Sequence, residues 1–135
     1  MPASAQNRFK IEVQANTNSP CPAIADLQNT DLFGAWSLLL EGGGQSVVTR
    51  MQLQRNPEFA ESLAGSFSLE NKTFEVFGDI EAGAFDLEES ANGKDISAIW
   101  KGRVVEGSCG QTILGTRRNV ADNKEQSFVM RRPGW

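Results

Sequence analysis

The chain has 135 residues, with 17 Asp and Glu against 13 Lys and Arg, a net charge of −4 and no histidine. That length suits one domain with a single core. The missing histidine removes the commonest general base, the usual activator of a Ser or Cys nucleophile and the commonest metal ligand. Charge is unevenly spread: residues 1–57 are balanced, residues 58–106 carry 11 acids against 4 bases, and residues 107–135 carry 2 against 5. An acidic middle lacks the basic footprint that nucleic-acid binding needs, and Arg117-Arg118 and Arg131-Arg132 read as a solvated face. No apolar run approaches the roughly 20 residues of a membrane-spanning helix, so no membrane span is expected.

Residues 1–30 form the expected N-terminal arm or lid and residues 31–135 the expected antiparallel β-barrel. Ala3-Ser4-Ala5 before Gln6 has the small-x-small character of a secretory cleavage site, which points to an extracytoplasmic protein, periplasmic or secreted, with its signal peptide removed. Phe9-Lys10-Ile11-Glu12-Val13 alternates as a short strand would, Asn16 to Pro22 is turn chemistry, and Ala23 to Leu27 has room for one helical turn. Two cysteines, Cys21 and Cys109, fit one disulfide in an oxidising compartment.

From Asp31 the period becomes two, as in half-buried strands. Leu32, Gly34, Trp36, Leu38 and Leu40 share a face, followed by a turn at Gly42-Gly43-Gly44. Val47, Thr49, Met51 and Leu53 share the next inner face, and residues 56–61 make a longer connection. Leu63, Gly65, Phe67 and Leu69 then precede a turn at Asn71-Lys72, with Phe74, Val76, Gly78 and Ile80 after it. Phe85 and Leu87 continue the pattern. Asn92-Gly93 is the strongest hairpin signal, predicting a type I′ turn. Ile96 to Val104, Thr112 to Thr116 and Ser127 to Arg131 complete about eight strands. Glycine two positions from an apolar residue recurs, as in Leu63-x-Gly65-x-Phe67, Val76-x-Gly78-x-Ile80, Gly83-x-Phe85-x-Leu87 and Trp100-x-Gly102-x-Val104. Closing a narrow barrel crowds its interior, and glycine relieves that crowding. The expected fold is all-β: an eight-stranded antiparallel up-and-down β-barrel with an N-terminal arm.

The alternation of Glu75, Asp79, Glu81, Asp86, Glu88 and Glu89 with apolar residues puts most of them on the wet face, a solvated surface and not a metal site. No catalytic residue, metal site or cofactor is expected. The inward aromatics Trp36, Phe67, Phe85, Trp100 and Phe128 are the candidate ligand-binding residues, because eight-stranded barrels lie at the threshold between a packed interior and a single-ligand pocket.

Gly34-Ala35-Trp36 on the first strand, with an arginine near the end of the last, resembles the pattern of the calycin superfamily, which groups lipocalins, avidins, fatty-acid-binding proteins and bacterial metalloprotease inhibitors. The resemblance implies a Trp at one barrel end with the late arginine packed across it. Here that arginine is Arg131 or Arg132, of opposite parity, and Gly34 and Arg131 stand as the candidate structural residues together with Cys21 and Cys109. Asn92-Gly93-Lys94 followed by Trp100 is similar to an avidin hairpin, but Leu38 and Leu40 stand where avidins carry polar groups, and the chain has no Tyr. Biotin binding is therefore not implied.

Three functional expectations follow. The first is an exported, non-enzymatic barrel binding a small apolar or amphipathic ligand. The alternative is a protein-binding module such as a hydrolase (protease) inhibitor, with residues 1–20 extended into the protease cleft. The third is a small barrel cyclase or isomerase using an interior acid or an arginine such as Arg103 or Arg117.

Overall fold

The structure is a computed structural model that describes residues 21–132. The expected strand Phe9–Val13, the small-x-small site and the free protease-binding arm lie outside those residues. Eight strands run in sequence order: β1 Gly34–Gly42, β2 Gln45–Arg55, β3 Leu63–Leu69, β4 Lys72–Glu81, β5 Ala84–Ser90, β6 Ile96–Val104, β7 Thr112–Asn119 and β8 Glu125–Arg131. Each pairs antiparallel with the next, and β8 returns to β1 from Ser37↔Arg131 to Glu41↔Ser127, so the sheet closes. The up-and-down barrel expected from the alternation is what forms.

Three hairpins are joined by two residues that both have φ > 0: Gly43-Gly44, Glu70-Asn71 and Ala82-Gly83. This backbone matches the right-handed twist of the flanking strands. Asn92-Gly93, where a type I′ turn is expected, is built differently. Only Gly93 has positive φ (81°), and the Asn92 Oδ1 accepts from the backbone N–H of Lys94 and Asp95, each at 2.8 Å. The asparagine caps a longer loop locally, and the register shifts between Glu89 and Ser90. Gly83 likewise serves the β4–β5 turn, not a strand bend.

The other glycines of the recurring pattern do relieve crowding. A Cβ on Gly115 would meet the Lys101 carbonyl oxygen at 2.1 Å and the Phe128 ring at 2.7 Å, and one on Gly102, directly opposite, would meet the same ring at 2.8 Å. The Phe128 ring therefore lies over the two missing side chains.

One barrel end is covered by residues 21–33, which make two short 3₁₀ turns, Ile24–Asp26 and Asn29–Leu32. Leu27 and Leu32 are buried in the core, and Ile24 and Phe33 pack against it. The Asn29 side chain stitches this lid down: its Oδ1 accepts from Ile80 N–H at 2.8 Å, while its Nδ2 donates to Asp79 Oδ1 at 3.0 Å and to the Glu61 carbonyl. A disulfide joins Cys21 to Cys109 in the β6–β7 loop, with a Cα separation of 5.0 Å.

The bridge spans 88 positions, which in the chain-entropy model stabilises the fold by about 4–5 kcal/mol. The Cys21→Ser/Cys109→Ser variant should therefore lose a large part of its stability in urea denaturation, as should the reduced wild type. Gly115→Ala should lose roughly 1–3 kcal/mol through overpacking, read as a lower urea midpoint at unchanged slope.

Candidate functional site

The five candidate ligand residues are all core. Trp36, Phe85, Trp100 and Phe128 are 0–1% exposed and Phe67 is 2% exposed. Apart from Trp36, their rings touch in a chain that crosses the lumen. Phe74 stacks on Phe67 with centroids 5.3 Å apart, Phe67 meets Trp100 edge-on at 5.3 Å, Trp100 meets Phe128 at 5.0 Å and Phe128 meets Phe85 at 6.3 Å. These are the separations of favourable aromatic pairs. The rings occupy the space that an apolar ligand would need.

At the lid end, Trp36 donates its Nε1–H to the Leu32 carbonyl at 2.9 Å. Of the two late arginines, Arg132 is the one whose guanidinium lies over the indole, 4.5 Å from the ring centroid, with Nη1 donating to the Phe33 carbonyl (2.7 Å) and Nη2 to the Asp31 carbonyl (2.5 Å). Arg131 is exposed on the outer wall. Gly34 makes room for this packing: its φ is +121°, and a Cβ there would come within 2.8 Å of Arg132 Nη1. Burial lowers the Arg132 pKa from the ordinary arginine value, with the Asp31 charge opposing.

The opposite end of the lumen holds a polar cluster that the alternation alone does not assemble. Glu89 stands in the run of expected wet-face acids, but it follows Phe85 and Leu87 in parity and is fully buried. Its Oε1 accepts from Trp100 Nε1 (2.9 Å) and Arg117 Nε (2.7 Å), and its Oε2 accepts from Arg117 Nη2 (2.9 Å) and Ser97 Oγ (2.8 Å). Arg117 also donates through Nη1 to Gln126 Oε1 at 2.7 Å. Arg117 is thus the interior arginine of the pair named from sequence, while Arg103 is exposed on the outer face. Four hydrogen bonds use up the acceptor capacity of one carboxylate. The pair holds Trp100, Ser97 and β7 together.

Accessible concavity lies on the outer wall. A groove of about 900 Å³ runs over β4, β5 and β6 beside the β2–β3 loop. Phe77 and Ile99 form its apolar floor, Phe59, which is 65% exposed, stands at its edge, and Glu58, Asp79, Glu81, Asp86 and Glu88 outnumber Lys101 and Arg118 around it. Asp79 and Asp86 are directly paired across β4 and β5, an arrangement of like charges that costs stability. Lys101 offsets part of it with an exposed 3.0 Å ion pair to Asp86. Smaller hollows of about 740 Å³ under the lid and about 530 Å³ beside the β7–β8 turn carry no aromatic side chain as exposed as Phe59. Among the described residues, no group of three or more His, Cys, Asp or Glu side chains is gathered to hold a metal ion, and no helix is long and apolar enough to cross a membrane.

No family model matches the chain, and no curated protein matches it. It is similar to a solved structure of a redesigned β-barrel, with a TM-score of 0.51 and 12% identity over 78% of this chain and 94% of that one. The likeness shows the fold alone.

Glu89→Gln removes the charge facing a nearly buried Arg117, whose side chain is 12% exposed. Breaking a buried pair from one side costs about 3–5 kcal/mol, so this variant should unfold at markedly lower urea, with Trp100 fluorescence altered in the native baseline. The double variant Glu89→Gln/Arg117→Met should recover much of the loss.

Proposed function

We propose that this chain is an exported, non-enzymatic, calycin-like barrel that binds a protein partner along the outer groove over β4–β6. The segment it takes is basic and carries an apolar anchor. The observation that carries this reading is the groove itself: an apolar floor of Phe77 and Ile99, an exposed Phe59, and five carboxylates against two cations, Lys101 and Arg118, around them. Lysine or arginine side chains answer the carboxylates, and one aromatic or aliphatic side chain answers the floor. Buried aromatic anchors inside a polar rim are the usual source of interface affinity.

The other readings have less support. An apolar ligand inside the barrel would have to displace rings that already touch one another. An interior acid-base mechanism would need Glu89 to give up a bidentate arginine. The arrangement of Gly34, Trp36 and Arg132 supports the calycin-like reading, and the Cys21–Cys109 bridge supports an oxidising, extracytoplasmic compartment.

The test is an NMR titration of the isotope-labelled protein with a short synthetic peptide alternating Lys and Phe, against a Glu/Phe peptide of equal length. Amide shifts should concentrate at residues 56–62, 77–81, 86–88 and 99–101 for the basic peptide only, and weaken with salt. Asp79→Asn should weaken that binding while raising stability by roughly 0.2–1 kcal/mol through relief of the Asp79↔Asp86 contact. Equal binding of the two peptides would overturn the reading. Shifts centred on Trp100 and Phe128 with a fluorescent apolar probe would restore the interior-ligand reading in its place.

A further inference from the structure

The outer wall opposite the acidic groove carries a different pattern, and it points to a second copy of the chain. On β2, β1, β8 and β7 the outward residues Val48, Leu39, Val129 and Leu114 are register partners in turn, forming one unbroken apolar row across four strands. Val48 is 71% exposed and Leu114 is 46% exposed, with Leu39 and Val129 half-buried between them. The outward rung nearer the lid reads Arg50, Ser37, Arg131 and Thr112, and the rung nearer the open end reads Ser46, Glu41, Ser127 and Thr116. A barrel interior accounts for the inward residues of these strands but places no demand on this outward row.

We infer that this wall is an isologous homodimer interface, with the two-fold axis lying along the apolar row. An isologous contact must be self-complementary, and this axis makes it so. Each row residue then meets its own copy, and each lid-side rung faces the open-end rung of the second copy. Glu41 of the second copy falls opposite Ser37, between Arg50 on β2 and Arg131 on β8. Adjacent strands are about 4.8 Å apart, so both arginines reach that carboxylate. Symmetry repeats the clamp. A two-fold axis running instead along β1 would set Arg50 against Arg131 of the second copy, and juxtaposed like charges at an interface oppose association. This interface is independent of the acidic groove, which stays open on the far wall.

The test is sedimentation velocity over a concentration series. The wild type should show a monomer–dimer equilibrium that stops at the dimer. Glu41→Lys alone, and Arg50→Glu/Arg131→Glu alone, should each raise the dissociation constant by about tenfold or more, with far-UV circular dichroism unchanged and the melting temperature matching the wild type at concentrations where both are monomeric. Mixing the two variants should restore dimers. In the mixed dimer the introduced lysine of one chain sits between the two introduced glutamates of the other, and the native Glu41 of that other chain sits between two native arginines. Val48→Asp/Leu114→Asp should remain monomeric. A wild type that stays monomeric at millimolar concentration would overturn the inference, as would a mixture that fails to associate. An open ladder of oligomers would overturn it too, by showing the acidic wall of one copy against the arginine wall of the next.

Discussion

Closure of β8 onto β1 is the constraint from which the rest of the molecule follows. Once Ser37 to Glu41 pair with Ser127 to Arg131, no strand edge remains among the described residues, and the lumen width is set by strand number and tilt. An eight-stranded lumen is just wide enough for side chains to fill. Here Trp100, Phe128, Phe67 and Phe85 fill it, and Gly102 and Gly115 supply the missing volume that lets the Phe128 ring lie against β6 and β7. Substituting either glycine, or any of the rings, disturbs the same packed layer. A lumen filled by touching rings leaves little room for an interior ligand.

The two ends of that lumen are finished by different chemistry. At one end the chain itself makes the plug: Leu27 and Leu32 enter the core, Asn29 bonds to the β4 backbone, and the Arg132 guanidinium covers Trp36 while tying down two lid carbonyls. At the other end Glu89 and Arg117 face each other bidentately beneath the rim. A buried ion pair is weak support for stability compared with apolar packing. Its effect here is geometric, since one carboxylate holds the Trp100 indole, the Ser97 hydroxyl and the Arg117 guanidinium together. That arrangement orients the central ring of the aromatic chain and links β5, β6 and β7.

Much of this was legible in the sequence, for a physical reason. Period-two alternation is imposed by the pleat, so the inward faces of β1 to β4 and of β6 could be read residue by residue. Parity also held the signal for Glu89, two positions beyond Leu87 and four beyond Phe85, but an acid in a run of acids reads as surface unless its parity is followed through. The turns were less legible. Glu70 and Ala82 adopt φ > 0 although neither residue favours it, because the hairpin twist imposes the conformation from outside. Asn92 favours it and does not adopt it, because its side chain finds the backbone of Lys94 and Asp95 first. The choice between Arg131 and Arg132 depended on where β8 ends relative to the lid, which alternation does not encode.

The outward residues carry the functional argument because the fold leaves them the most freedom. A barrel needs its outer face polar enough to stay dispersed, and a mixture of both signs does that best. This barrel instead spreads them unevenly, with only Lys101 and Arg118 in the acidic groove and only Glu41 among the arginines of the apolar row. One wall sets Asp79 against Asp86 and adds Glu75, Glu81 and Glu88, while the opposite wall sets Arg50, Arg103 and Arg131 around the row from Val48 to Leu114. Like charges paired across strands lower stability, and an exposed apolar row invites association. Neither feature helps the chain to fold, and each supports one of the two proposed contacts. An acidic groove with an aromatic edge asks for a basic segment, and an apolar row whose flanking charges complement each other under a two-fold asks for its own copy. Because the two walls face away from each other, a dimer built on one would present two copies of the other, and a partner engaging both grooves would gain avidity without any new contact.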